Sequence, residues 1–209
     1  MPPKRTYGQG CPVAHALDLV GERWSMLVIR ELRLGPRRYA DIQNALPGIG
    51  PSVLSQRLRD LEAVGILEKR DKEYGLTAWG AELEPVFRSL AKWGARSPVV
   101  PLEGPISHDS AMLGLRTFFR PGDADWTASY EFYLRPDSYR LEVTGGELTG
   151  LWRGRGGQAA DVRVETDLDG LDGLVAGRMG AEDAVREGKA VVSGKVAELR
   201  RLVEAVVKG

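Results

Sequence analysis

Residues 50–65, Gly50-Pro51-Ser52-Val53-Leu54-Ser55-Gln56-Arg57-Leu58-Arg59-Asp60-Leu61-Glu62-Ala63-Val64-Gly65, carry two patterns at once. Leu54, Leu58, Leu61 and Val64 recur at intervals of 4, 3 and 3, the spacing of a helix with one buried stripe. Pro51 suits the first helical turn, and Gly65 suits the stop. At ~100° per residue, Ser52, Ser55, Gln56 and Arg59 fall almost opposite the stripe, and Arg57 joins them as a candidate DNA contact. That outer face offers hydroxyls, an amide and a guanidinium, with its nearest acid, Asp60, toward one flank. Such groups match base edges in a major groove: Gln with adenine, Arg with guanine, Ser with a base edge or phosphate. An isolated solvated helix would show the same face, so its neighbours decide.

Upstream, Pro12 opens a first helix through Val13, Ala16, Leu17 and Val20; a second runs from about Trp24 to Leu34 and stops at Gly35-Pro36. A third covers Tyr39 to Leu46 and ends at Pro47-Gly48, so a helix and a tight turn lead into residues 50–65. Arg37 and Arg38, with Tyr39, precede or open that third helix, where they could grip a phosphate. Downstream, Ile66 to Thr77 has apolar ends around a charged centre, the pattern of a short hairpin. Its Lys69, Arg70 and Lys72 could reach the neighbouring backbone, although Asp71 and Glu73 dilute their charge. Thr77 can cap a long helix with Trp79, Leu83, Val86, Phe87, Leu90 and Trp93 at 3–4 spacing, bent or broken near Pro85.

Helix, turn, helix and basic hairpin together predict binding to double-stranded DNA. The wording of the segment is also distinctive. Cys11-Pro12-Val13, Gly21-Glu22-Arg23-Trp24-Ser25, Arg38-Tyr39-Ala40-Asp41-Ile42, Leu54 to Glu62, Gly65-Ile66-Leu67 and Tyr74-Gly75-Leu76-Thr77, in that order, resemble the HxlR-type winged-helix regulators. The resemblance covers about residues 8–96 and implies a homodimer, joined through the first and last helices of this domain, on a pseudo-palindromic operator. It further implies that Cys11 senses electrophiles or oxidants, as a cysteine at this place does in several such regulators. From the residues alone, Cys11 stands at a helix start where free amides favour a thiolate, and His15 lies one turn on. A lone cysteine as a small buried hydrophobe fits the sequence equally well.

Three prolines in Ser97-Pro98-Val99-Val100-Pro101-Leu102-Glu103-Gly104-Pro105 mark a linker over 98–105 between residues 1–97 and a second domain, 106–209. There, Ser110 to Phe119 reads as a helix. Trp126–Leu134, Ser138–Val143, Glu147–Arg153 and Ala160–Thr166 read as an antiparallel meander of four strands, followed by helices near 171–176, 181–187 and 196–207. The fold class is thus α+β: a winged helix-turn-helix domain, then an antiparallel sheet covered by helices. The glycine-rich run from Asp169 to Gly194 and the helix after it resemble the sterol-carrier-protein type 2 fold, whose helix-covered sheet encloses a tunnel for apolar molecules. That resemblance implies an apolar small-molecule ligand, walled by Trp126, Phe132, Leu134, Trp152, Leu174 and Met179; an ordinary solid core fits the same pattern.

Composition narrows the classes. The 209 residues carry 29 Lys/Arg and 29 Asp/Glu, but unevenly: residues 1–100 hold 15 against 11, and residues 101–209 hold 14 against 18. A polyanion would therefore meet the first half. No apolar run approaches a membrane span, no signal core opens the chain, and the single cysteine excludes an intrachain disulfide, so a cytoplasmic protein without membrane contact is expected. Two histidines and one cysteine make no zinc set, and Gly154-Arg155-Gly156-Gly157 lies between strands rather than before a helix. Ser55 and Ser193 have no histidine near them in sequence. No catalytic residue, metal or cofactor is expected. The expected function is a DNA-binding transcriptional repressor answering to an apolar ligand or thiol modification. The alternative is an apolar-molecule carrier with a secondary DNA-binding role.

Overall fold

The structure is a computed structural model that describes residues 6–99 and 104–207. Its internal contacts separate two compact units, residues 1–89 and 90–209. Of the expected linker over 98–105, residues 100–103 lie outside the described residues.

In the first unit, α1 (Pro12–Val20) begins with proline at its first turn and ends where the Gly21 amide donates to the Leu17 carbonyl at 2.8 Å. The second helix, α2 (Ser25–Arg30), is shorter than the sequence predicts. Beyond Arg30 the bonds tighten to three-residue steps (Leu32 to Ile29, Arg33 to Arg30, Gly35 to Leu32), and Gly35 takes φ 124°, open only to glycine. Next come β1 (Arg37–Arg38), α3 (Tyr39–Ala45), α4 (Pro51–Ala63), β2 (Leu67–Arg70) and β3 (Glu73–Leu76). The hairpin is as predicted, with Asp71 at φ 53° in its turn, but β1 adds a third strand in the order β1-β3-β2, pairing Arg37 with Tyr74. A two-residue strand has no period to read, which is why the sequence did not reveal it.

Thr77 caps α5 (Ala78–Ala81), accepting from the Gly80 amide at 3.0 Å. The expected long helix breaks here and resumes as α6 (Glu84–Gly94), which runs across the boundary between the units, with Pro85 in the first turn, where its missing N–H goes unused. Ile29, Ile42, Leu54, Leu58 and Leu61 are all at most 1% exposed and close the core with Phe87. Each such side chain contributes about 1.5–3 kcal/mol by leaving water.

The second unit holds α7 (His108–Phe118), β4 (Ala128–Leu134), β5 (Asp137–Thr144), β6 (Glu147–Arg153), β7 (Val162–Thr166), α8 (Leu168–Val175), α9 (Ala181–Arg186), β8 (Ala190–Gly194) and α10 (Val196–Val207). Strand order is β6-β5-β4-β7-β8, antiparallel except that β4 and β7 run parallel. The expected four-stranded meander is thus corrected twice. After β6 the chain crosses to the far side of β4 instead of hairpinning, and β8 forms a fifth strand whose Val191-Val192 pair was its only signal. Leu115 of α7, Leu171 and Leu174 of α8, and Leu199 and Leu202 of α10 meet Phe132 of β4 on one face of the sheet. No helix among the described residues is long and apolar enough to cross a membrane.

This packing also locates the expected ligand wall. Trp126, Phe132, Leu134 and Leu174 are each at most 2% exposed, but the apolar gap bordered by Phe132 and Leu174 measures only about 10 Å³, scarcely one water. Trp126 lies outside it, stacked on Phe119 at 5.7 Å. Trp152 is on the opposite face of the sheet, beside Arg140, because its neighbour Leu151 takes the inward slot opposite Leu141, and strand side chains alternate. Met179 is half-buried after α8, its amide bonded to the Gly173 carbonyl. Leu134 borders an open polar hollow of about 490 Å³ instead, with His108, Arg135, Glu165, Asp167 and Asp169. The six residues therefore do not enclose one apolar chamber.

Candidate nucleic-acid interface

Helix α4 points its leucine stripe inward, as its spacing requires, and leaves Ser52, Gln56 and Arg59 exposed with Ser55 half-buried. The exposed side chains hold one another in a ladder. Arg59 Nη2 donates to Gln56 Oε1 at 2.8 Å, and Gln56 Nε2 donates to Asp60 Oδ1 at 2.8 Å. These are surface bonds that water or a base edge can replace at little cost.

The turn before α4 is tied down from α3. The Tyr39 hydroxyl donates to the Pro51 carbonyl at 2.8 Å and lies 3.4 Å from Ser55 Oγ, while Gln43 Nε2 donates to the Ile49 carbonyl at 2.6 Å. Tyr39 thus positions the first turn of α4. Gln43 was absent from the sequence-derived site, since an amide midway along a short helix has no pattern of its own.

The other flank of α4 is held by the loop between α1 and α2. Arg57, its side chain 15% exposed, lies 3.5 Å from Glu22 and 3.3 Å from Asp60. Trp24 occupies the left-handed region, φ 78° and ψ −20°, a conformation that costs a non-glycine residue about 1–3 kcal/mol. Its half-buried indole packs against the core beside the α3–α4 turn, where a Cβ on Gly48 would lie 3.8 Å away, and Arg23 sits over the ring, 5.6 Å from its centre.

Not every expected basic residue faces outward. Arg38 (68% exposed), Lys69, Arg70 (81% exposed) and Lys72 do, although Arg38 lies 3.7 Å from Glu73 and Arg70 2.9 Å from Glu68. Lys69 rests over the Tyr74 ring at 5.2 Å. Arg37, expected to grip a phosphate, is instead 8% exposed; its Nη1 donates to the Asp41 carbonyl at 3.3 Å and faces the fully buried Glu31 at 3.8 Å. Pairing in β1 puts Arg37 on the inner side and its neighbour Arg38 on the outer, so one of two adjacent arginines is structural. Arg57 likewise braces the fold from a flank.

Cys11 is exposed at the start of α1, where the Ala14 and Val13 amides hold its thiol below the ordinary cysteine range. His15 is also exposed, and the bond joining the two is between backbones, His15 N–H to Cys11 carbonyl at 2.9 Å.

This assembly of turn, outward polar helix and three-stranded wing has clear relatives. The model of the HxlR-like helix-turn-helix matches residues 19–98. The HTH-type transcriptional regulator sll1512 of Synechocystis is 43% identical over 96 residues, 42% of this chain and 70% of that protein. The chain belongs to the HxlR family. A second relative, the HTH-type transcriptional regulator YvaP of Bacillus subtilis, is 37% identical over 92 residues, covering 40% of this chain and 84% of YvaP. Among solved structures, quinone-bound YodB from B. subtilis is 35% identical with a TM-score of 0.40, over 42% of this chain and all of YodB. HxlR relatives of this kind are transcriptional regulators, and the helix-turn-helix is their DNA-binding part.

Proposed function

We propose that this HxlR-family protein is a homodimeric transcriptional repressor, organised as a DNA-binding domain over 1–97 and a second domain over 106–209. Each α4 would enter a major groove of a pseudo-palindromic operator. The observation that carries the reading is the outer face of α4, where Ser52, Gln56 and Arg59 stand exposed beside a wing carrying Lys69, Arg70 and Lys72. Ser55 and Tyr39 set the first turn of the helix on the DNA, and Arg38 contacts a phosphate. Dimerisation is supported by apolar side chains left exposed among the described residues: Val13 (68% exposed) and Leu17 on α1, and Trp79, Val86, Leu90 and Trp93 (71% exposed) on α5 and α6.

Regulation would enter through Cys11, whose exposure and lowered thiol pKa suit attack on an electrophile or oxidant. An apolar ligand in the second domain, as in a sterol-carrier-like fold, would have to part α7, α8 and α10, since the gap between them is about 10 Å³. The same closed gap weighs against the alternative of an apolar-molecule carrier.

Selection from a random duplex library tests the proposal. Enrichment of two inverted half-sites about one helical turn apart is the expected result. Enrichment of a single half-site would defeat the dimer, and no enrichment would defeat sequence-specific binding.

A further inference from the structure

We infer that Arg23 is a DNA-phosphate contact, gripping the strand on the side of the recognition helix away from α3. The inference rests on α4 lying in the major groove. Ser55 and Arg57 are two residues apart on α4 and therefore about 200° apart around it. Ser55 faces Tyr39 of α3, while Arg57 faces Glu22 of the α1–α2 loop, so α3 and that loop border opposite flanks of the same helix. A helix in the major groove has a sugar-phosphate backbone along each flank. The α3 flank meets one strand through Arg38, and the loop flank meets the other.

On that loop, Arg23 is the cation turned outward. Glu22, the adjacent acid, is directed to Arg57, 3.5 Å away, a guanidinium it shares with Asp60. Arg23 is exposed, and its guanidinium is held over the Trp24 ring rather than against a carboxylate. Trp24, in the left-handed region, sets its indole beside the α3–α4 turn, and Arg23 lies over that ring on the loop whose Glu22 meets α4. Strain in a bulky residue next to a binding helix is characteristic of a segment whose shape matters. A stacked guanidinium also keeps its N–H groups free at the ring edge for phosphate oxygens.

The test is binding of a fluorescein-labelled mixed-sequence duplex of about 30 base pairs, followed by anisotropy across ~50–200 mM KCl for wild type, Arg23→Ala and Arg23→Lys. Loss of one phosphate contact should lower the steepness of log K against log salt by about 0.9 and weaken binding about 8-fold at ~0.1 M salt. Arg23→Lys should recover most of the slope, because the counterion effect needs only the charge. If Arg23→Ala keeps the wild-type slope, the inference falls while DNA binding by α4 stands. A loss that Arg23→Lys fails to restore would assign Arg23 a structural role instead and also overturn it. Absence of salt-dependent binding by the wild type would remove both the inference and the reading beneath it.

Discussion

Replacing Arg59 by alanine separates sequence reading from simple attraction to DNA. In the free protein Arg59 is exposed and donates one 2.8 Å bond to Gln56. Its loss should change folding stability by no more than about 0.5 kcal/mol, as for most surface positions. In the complex, a bidentate Arg–guanine pair is worth about 1–3 kcal/mol of discrimination. Giving up the bond to Gln56 offsets part of that, leaving a net loss near 1–2 kcal/mol, or about 5- to 30-fold in affinity. The assay is anisotropy titration of the selected operator and of an unrelated duplex at one salt concentration. Operator affinity should fall by that factor, with affinity for the unrelated duplex much less affected. An equal fall on both would show that Arg59 touches only phosphate, and the major-groove assignment of this face would be wrong.

Other outcomes follow from the same geometry. Gly80→Ala would bring a Cβ to 2.2 Å from the Ile66 carbonyl oxygen, so chemical denaturation should show a loss of about 1–3 kcal/mol; an unchanged midpoint would contradict the packing of α5 on the wing. Leu54→Ala, at a fully buried position, should cost about 2–5 kcal/mol by the same measurement. The rate of Cys11 alkylation, measured against pH, should have its midpoint below the ordinary cysteine value of about 8.5, because the Ala14 and Val13 amides favour the thiolate; a midpoint at or above it would remove the argument for a reactive thiol. Asp161 accepts bonds from the Ser129 amide and hydroxyl, which lower its pKa. The stability this lends is present above the unfolded value of about 3.9 and is lost as pH falls through the lower folded value, so in urea titrations Ser129→Ala should be less stable than wild type at neutral pH, with the gap closing as pH falls through that window; a gap independent of pH would refute it.

Much of the DNA-binding unit was legible in the sequence because its signals are local. The leucine stripe, Pro51, Gly65 and the charged hairpin each act within a few residues, and they marked helix α4 and its exposed polar face without any tertiary information. Side-chain direction in short strands was not legible. Arg37 and Arg38 look interchangeable in the chain, and only the pairing of β1 with β3 and the buried carboxylate of Glu31 turn one inward. The setting of Arg23 was not legible because it depends on the backbone of Trp24 and on the pairing of Glu22 with a helix more than thirty residues on.

In the second unit the aromatic alternation of β4 was a sound guide to its own inner face, and Tyr130, Phe132 and Leu134 are buried together there. It could not say what that face meets. Whether a covered sheet is solid or hollow depends on how three helices from distant parts of the chain close over it, and here they close to about 10 Å³. The parallel seam between β4 and β7 likewise joins segments with two strands between them. What the sequence by itself determined, then, was the period-governed part: which helix carries the polar face, and where the chain turns. Only the tertiary structure decided which arginines brace and which reach out, because that depends on partners that periodicity does not record.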